Sequence, residues 1–221
     1  MKYLKIILIS CLVLFGTTDH IYSQSRFDVH LGPAFPLSKF GLYGINEYMS
    51  NPTIGINTGV KYSYIFSEIG IGVFAGIDFM YNGIDKEYKE EVEKWSDFLN
   101  ADPPKYHAYY NIPASTGLSY DFILYENLML VCYAGLTFNY LLISDSDLGL
   151  YKSSTEPAYS LGGKIGVSLI IKDKASINLD YFGLGTHNVL AETTDTPLNI
   201  TEEWSTDLNI HMLSLTVGIN F

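Results

Sequence analysis

The sequence predicts an all-β fold: an eight-stranded antiparallel up-and-down transmembrane β-barrel with short periplasmic turns and long extracellular loops. Three observations lead there. Apolar side chains alternate with small or polar ones in segment after segment, the spacers between segments alternate between short and long, and aromatic residues gather at the segment ends.

The alternation is clearest in the third segment, where Ile69, Ile71, Val73, Ala75, Ile77, Phe79 and Tyr81 interleave with Gly70, Gly72, Phe74, Gly76, Asp78 and Met80. A period of two over this length is a strand with one apolar face, longer than the usual globular strand. The same stretch fits a dinucleotide fingerprint, Gly70-x-Gly72-x-x-Ala75, but that motif needs a strand ending and a helix starting at the glycines. Here the alternation runs straight through to Tyr81, so the glycines are expected on the inner wall of a strand.

The remaining strands follow in order. Phe27, Val29 and Leu31 mark the first; Ile54, Ile56, Thr58, Val60, Tyr62 and Tyr64 the second; Tyr110, Ile112, Ala114, Thr116, Leu118 and Tyr120 the fourth. The fifth carries Leu128, Leu130, Cys132, Ala134, Leu136, Phe138 and Tyr140, and the sixth Tyr159, Leu161, Ile165, Val167, Leu169 and Ile171. Ile177, Leu179 and Tyr181 make the seventh, and Leu213, Leu215, Val217, Ile219 and Phe221 the eighth. The opposite face is rich in Gly, Ser and Asn, unlike the Lys, Glu and Thr exposed by soluble sandwiches and lipocalin-like barrels, and suits a narrow polar lumen.

Residues 66–68, 123–127 and 172–174 are the short spacers; residues 36–52, 82–105, 144–157 and 187–207 are long, polar and expected as loops. Within the loop at 82–105, Tyr88, Val92, Trp95 and Leu99 recur every three to four residues among Glu87, Glu90, Glu91, Glu93 and Lys94, before Pro103-Pro104. This spacing predicts an acidic amphipathic helix near 86–100 whose apolar stripe either lids the barrel mouth or docks an envelope partner.

The N-terminus reads Met1-Lys2-Tyr3-Leu4-Lys5, then an apolar run over residues 6–16, then a polar stretch to Gln24. That is the plan of a secretory signal peptide over 1–24, leaving the barrel domain at 25–221. Leu8-Ile9-Ser10-Cys11 has the look of a lipoprotein box, but Leu12 to Phe15 continue the apolar run past Cys11, which favours cleavage near Gln24. Without residues 1–24 the chain carries 11 basic and 23 acidic side chains, a net charge of −12, which argues against nucleic acid as a partner. One cysteine, Cys132, is left, so no intramolecular disulfide is expected.

With these features the chain resembles the small outer-membrane β-barrel proteins of Gram-negative bacteria grouped as "porin family" or "outer membrane protein beta-barrel domain". The resemblance is carried by Tyr109-Tyr110-Asn111-Ile112-Pro113, by Tyr181-Phe182-Gly183-Leu184-Gly185 and by the final strand. It implies outer-membrane location and contact with the lipid bilayer. It also implies an assembly signal read by the barrel-assembly machinery: Phe221 with Ile219, Val217, Leu215 and Leu213 two, four, six and eight positions before it.

Eight strands leave an interior that side chains nearly fill, and Phe74, Met80, Tyr109, Tyr133, Phe182 and Met212 are expected there. The inward charges are Arg26, Asp28, Lys61, Asp78, Asp121, Lys164 and Asp180. Counting across residues 172–174 sets Lys164 roughly opposite Asp180, and Arg26, Asp28 and Lys61 share a level on the first two strands, so a salt-bridged plug is expected. No G-x-S-x-G, H-E-x-x-H or paired-cysteine motif is present. His30 is expected in the lumen and His107, His187 and His211 as polar residues near the loops, with no cofactor or metal. The functional expectation is a non-enzymatic structural or surface-interaction protein; the alternative is a narrow porin-like channel for ions or small apolar solutes, and a lipid-modifying barrel enzyme ranks below both.

Overall fold

The computed structural model describes residues 24–37, 52–66, 70–99, 102–149 and 151–221. Residues 1–23 of the expected signal peptide, Cys11 among them, lie outside the described residues, as does Ile69. The chain forms β1 (Gln24–Pro36), β2 (Gly55–Ile65), β3 (Ile71–Asn82), helix α1 (Lys86–Leu99), β4 (Tyr109–Tyr125) and β5 (Leu128–Ile143). Two short strands, β6 (Ser146–Asp147) and β7 (Tyr151–Thr155), precede β8 (Ala158–Ile171), β9 (Ala175–Asp195) and β10 (Ile200–Asn220).

Eight of these strands close a ring: β1 to β5, then β8, β9 and β10, each antiparallel to its neighbours, with β10 returning to β1. At the seam Asp28 faces Asn220, and Phe27 and Phe221 exchange backbone bonds of 3.2 and 2.9 Å, their rings 6.4 Å apart. Closure leaves no strand edge in the bilayer, the condition under which strands can cross lipid.

The period of two sorts side chains as the sequence requires. Leu136 and Leu161 are 73% and 76% exposed, with Leu118, Ile165 and Val217 close behind, while Phe74, Met80, Tyr109, Tyr133, Phe182 and Met212 are buried inside. An apolar belt of this extent belongs in lipid. Aromatic residues bound it: Tyr81, Tyr110, Tyr140 and Tyr159 sit at the loop end and Tyr64, Phe66, Tyr120 and Phe122 at the turn end. On β4 the ten-residue step from Tyr110 to Tyr120 is about 33 Å along the strand, or about 25 Å along the axis at a tilt of about 40°. That matches the apolar band of outer-membrane barrels.

At the turn end, Lys172 and Asp173 take left-handed φ values of 52° and 55°, and Lys174 N–H donates to the Ile171 carbonyl at 3.1 Å. This is the two-residue turn whose twist suits a tight hairpin. Gly70 opens β3 at φ 78° with its carbonyl accepting from Asp121 N–H at 2.9 Å, and β3 then runs unbroken through Gly72 and Ala75. No helix begins at the nucleotide-like motif.

Two expected loops are strands instead. Residues 187–207 continue β9 and β10 as one long hairpin, Trp204 Nε1 donating to Thr193 Oγ1 at 3.0 Å. Residues 144–157 hold β6 and β7, and β7 pairs with this extension from Tyr151↔Asp195 to Thr155↔Ala191. The inward face stays buried through His187, Val189 and Ala191, and the apolar alternation that marks a strand in lipid disappears beyond them, where both faces of the extension meet water.

Candidate functional site

Inside the ring the side chains stack in storeys. Nearest the turns, Arg26 Nη2 meets Asp121 Oδ2 at 2.6 Å and Nη1 lies 3.3 Å from Met129 Sδ. Beside this pair a void of about 10 Å³ remains among Asp28, Lys61, Ser168 and Ser176, no more than one water's share.

The next storey holds the remaining inward charges. Lys164 Nζ lies 3.1 Å from Asp78 Oδ2 and 3.7 Å from Asp180 Oδ2, with Phe182's ring centre at 4.4 Å. Asp180 also accepts from Tyr133 O–H at 2.6 Å. Lys61 Nζ donates to Ser168 Oγ at 2.9 Å and sits 4.2 Å from Tyr133's ring centre. His30 bridges two carboxylates, Nδ1 to Asp28 Oδ1 at 2.8 Å and Nε2 to Asp78 Oδ1 at 2.9 Å. Ser176 donates to Asp28 Oδ2 in a short bond, and Asn57 donates to Asp78 at 3.1 Å.

Small residues make the room. A Cβ on Gly166 would lie 2.7 and 2.8 Å from ring carbons of Tyr133, and one on Gly59 would lie 2.8 Å from His30 Nε2. These glycines are the inner-wall positions that such large side chains demand.

A third storey is polar and uncharged: Asn139 donates to Asn111 at 2.9 Å, and both Asn139 and Ser160 lie 2.9 Å from His187 Nε2. The fourth is apolar, formed by Met80, Tyr109, Leu141, Phe182, Leu184, Leu208, Ile210 and Met212. It seals the loop end of the lumen.

Among the sequence-predicted charges, Lys164 and Asp180 come together, whereas Arg26 does not join Asp28 and Lys61. They share neighbouring register positions, Asp28↔Lys61 and Arg26↔Ser63, but Arg26 reaches across the lumen to Asp121. His30 and Asp78, the bridging members of the network, lie 48 residues apart in sequence but in one line across three consecutive strands, His30↔Gly59↔Asp78, with only a glycine between them. His187 is fully buried in the third storey rather than set at the polar rim, because β9 continues inward-facing through it. His211 lies on the outer wall, its Nδ1 2.6 Å from Tyr181 Oη.

Helix α1 is fixed by Tyr106, whose hydroxyl donates to the Lys89 carbonyl at 3.0 Å, and by Ser96, which donates to the Asp102 carbonyl at 3.1 Å. Burial, then the Glu93 carboxylate, pushes the Tyr106 hydroxyl up to about 12. Tyr88 packs on the apolar storey and Val92 is half-buried, but Trp95 is 61% exposed and packs edge-on against the still more exposed Phe98. The expected stripe therefore splits. The Tyr106 and Ser96 anchors turn the face of Tyr88, Val92 and Ser96 inward and leave Trp95 outside, while Leu99's side chain lies outside the described residues. Just beyond the helix His107 is buried, which holds its imidazole down to about 4.

No family model and no curated relative matches the sequence. Among solved structures the chain is similar to the outer membrane protein OprG from Pseudomonas aeruginosa, at 15% identity over 91% of this chain and 98% of that one, with a TM-score of 0.55. It is also similar to a major outer membrane protein from Thermus thermophilus, at 14% identity over 89% and 99% of the two chains, with a TM-score of 0.51. At this identity the likeness is one of fold, that of a small outer-membrane β-barrel.

Proposed function

We propose that this barrel resides in the outer membrane as a closed, non-enzymatic scaffold that acts through its extracellular face. The observation that carries the reading is the continuous packing of the lumen, from Arg26–Asp121 through the Lys164–Asp78 network to the apolar seal. Arg26, Asp28, Lys61, Lys164 and Asp180 serve here as a charge plug, since buried ions held by several partners each are costly to displace.

What remains for contact lies outside: the Trp95–Phe98 pair on α1, rimmed by Glu87, Glu90 and Glu91, and the long β9–β10 hairpin. Exposed aromatics on an anchored helix suit recognition of an envelope partner. The terminal Leu213, Leu215, Val217, Ile219 and Phe221 face outward beside the seam, where they serve as the assembly signal.

Ser160 and His187 are the pair nearest to a nucleophile and base, and their arrangement favours a structural role. Both Ser160 and Asn139 bond the same nitrogen, Nε2, and no side chain among the described residues bonds Nδ1 to orient the ring. Single-channel recording of the purified full-length protein in planar bilayers tests the closed scaffold. Silence is expected, and steady conductance steps at neutral pH would replace it with a channel.

A further inference from the structure

With His30 neutral, the central storey is left with an imbalance of charge. Away from the self-contained Arg26–Asp121 pair, the charged inward groups on the described strands are Lys61 and Lys164 against Asp28, Asp78 and Asp180. Two cations against three carboxylates leave one negative charge without a counterpart, and the void beside Asp28 and Lys61 has space for about one water.

His30 lies at the point where that charge must be met. Its ring sits between Asp28 on its own strand and Asp78 on β3, one carboxylate oxygen on each nitrogen, and both oxygens belong to groups that already accept from other donors. Asp28 accepts from Ser176 of β9, and Asp78 accepts from Lys164 of β8 and Asn57 of β2. A neutral imidazole has one N–H and one lone pair, so it would set that lone pair against a carboxylate lone pair. Two N–H groups satisfy both oxygens. In both neighbouring strands the residue opposite His30 is a glycine, Gly59 on β2 and Gly218 on β10, so no side chain intervenes between the ring and its two carboxylates.

We infer that the lumen is locked by a proton: His30 is a resident imidazolium whose charge completes the neutral set Lys61, Lys164, His30, Asp28, Asp78 and Asp180, and the closed state depends on its occupancy. This rests on the closed-lumen reading above and adds its control. Once the proton leaves, an unmatched carboxylate remains at the barrel centre, and water with a monovalent cation enters in its place because a bare buried charge is the worse alternative; passage through the lumen then requires the apolar storey of Met80, Leu208 and Met212 to part around that water. The lock therefore holds while the proton is resident and yields when it is removed, with cation selectivity set by Asp28 and Asp78.

The test uses the full chain in detergent micelles and planar bilayers. With histidine ring nitrogens labelled, His30 is expected to show a proton on both nitrogens at neutral pH; an unprotonated ring nitrogen would overturn the inference whatever the variants do. In bilayers the wild type is expected to stay silent at neutral pH and to pass cations once alkaline titration removes the His30 proton signal. H30Q is expected to conduct cations already at neutral pH, and H30Q/D28N, which restores neutrality, to fall silent again. An H30Q protein that folds and stays silent would overturn the lock while leaving the closed scaffold standing. Conduction by the wild type at neutral pH would overturn the closed scaffold itself.

Discussion

Replacing Lys164 with methionine keeps most of the side-chain volume and removes one charge, which isolates the electrostatic part of the plug. Lys164 Nζ sits 3.1 Å from Asp78 and 3.7 Å from Asp180, with 2% of the side chain exposed. At an effective dielectric constant of about 20 these contacts are worth about 5 and about 4.5 kcal/mol. The cost of burying the ammonium, several kcal/mol, offsets part of that sum. Truncating one member of such a set leaves the others buried without a counterpart, so Lys164→Met is expected to destabilise by about 3–5 kcal/mol, two to nearly four decades in the unfolding constant. The assay is urea unfolding in lipid vesicles, followed by circular dichroism and by the mobility shift of folded barrel on unheated gels. With a slope of about 2 kcal/mol/M the midpoint falls by about 2 M. The second change Asp78→Asn recovers a large part of the loss, since it removes a charge left unmatched. A Lys164→Met midpoint within about 0.3 M of wild type would refute the argument that this network holds the lumen.

Gly166→Ala puts a methyl against Asp180 Oδ1 first and 2.7 Å from the Tyr133 ring, and the overpacking is expected to cost about 1–3 kcal/mol in the same unfolding assay; an unchanged midpoint would show that the Tyr133–Asp180 pair is loosely held. Burial holds His107 at about 4, below its unfolded value near 6.5, so the folded state prefers the neutral ring. The stability this preference contributes is complete above about pH 6.5 and is lost as the pH falls toward 4, by up to about 3 kcal/mol. Protection factors for hydrogen exchange in residues 102–108, each corrected for the intrinsic rate at its pH, are expected to fall between pH 7.5 and 4.5 in the wild type and not in His107→Gln; matching profiles in the two would exclude His107 as the cause.

Legibility in the sequence follows the solvent. Where a strand crosses lipid, one face must be apolar, so Ile71 to Tyr81 or Leu128 to Tyr140 announce both the element and its outer side. Where the same strands leave the bilayer that demand ends: Glu192, Thr193, Thr194, Glu202 and Glu203 have no alternation to read, yet they form the hairpin. The lumen is legible in composition and partly in register, since Lys164 and Asp180 lie on strands joined by a short turn. Arg26–Asp121 is not, because the two meet across the barrel, and His30–Asp78 becomes visible only once the register of both the β1–β2 and β2–β3 pairings is known. On the helix, spacing identifies an amphipathic segment, but the anchors Tyr106 and Ser96 decide which side faces the barrel.

The seam between β1 and β10 also has a temporal meaning. Asp28 and Asn220 meet from near opposite ends of the described chain, so nearly all of it must be present before the ring can shut. Every earlier arrangement has two unpaired strand borders and an oily exterior at once, the state most prone to stray pairing. Closure of so distant a contact is intrinsically slow. The schedule of biogenesis therefore hinges on how long an open sheet can be kept apart from others like it, and the meeting of Phe27 with Phe221 marks the end of that wait.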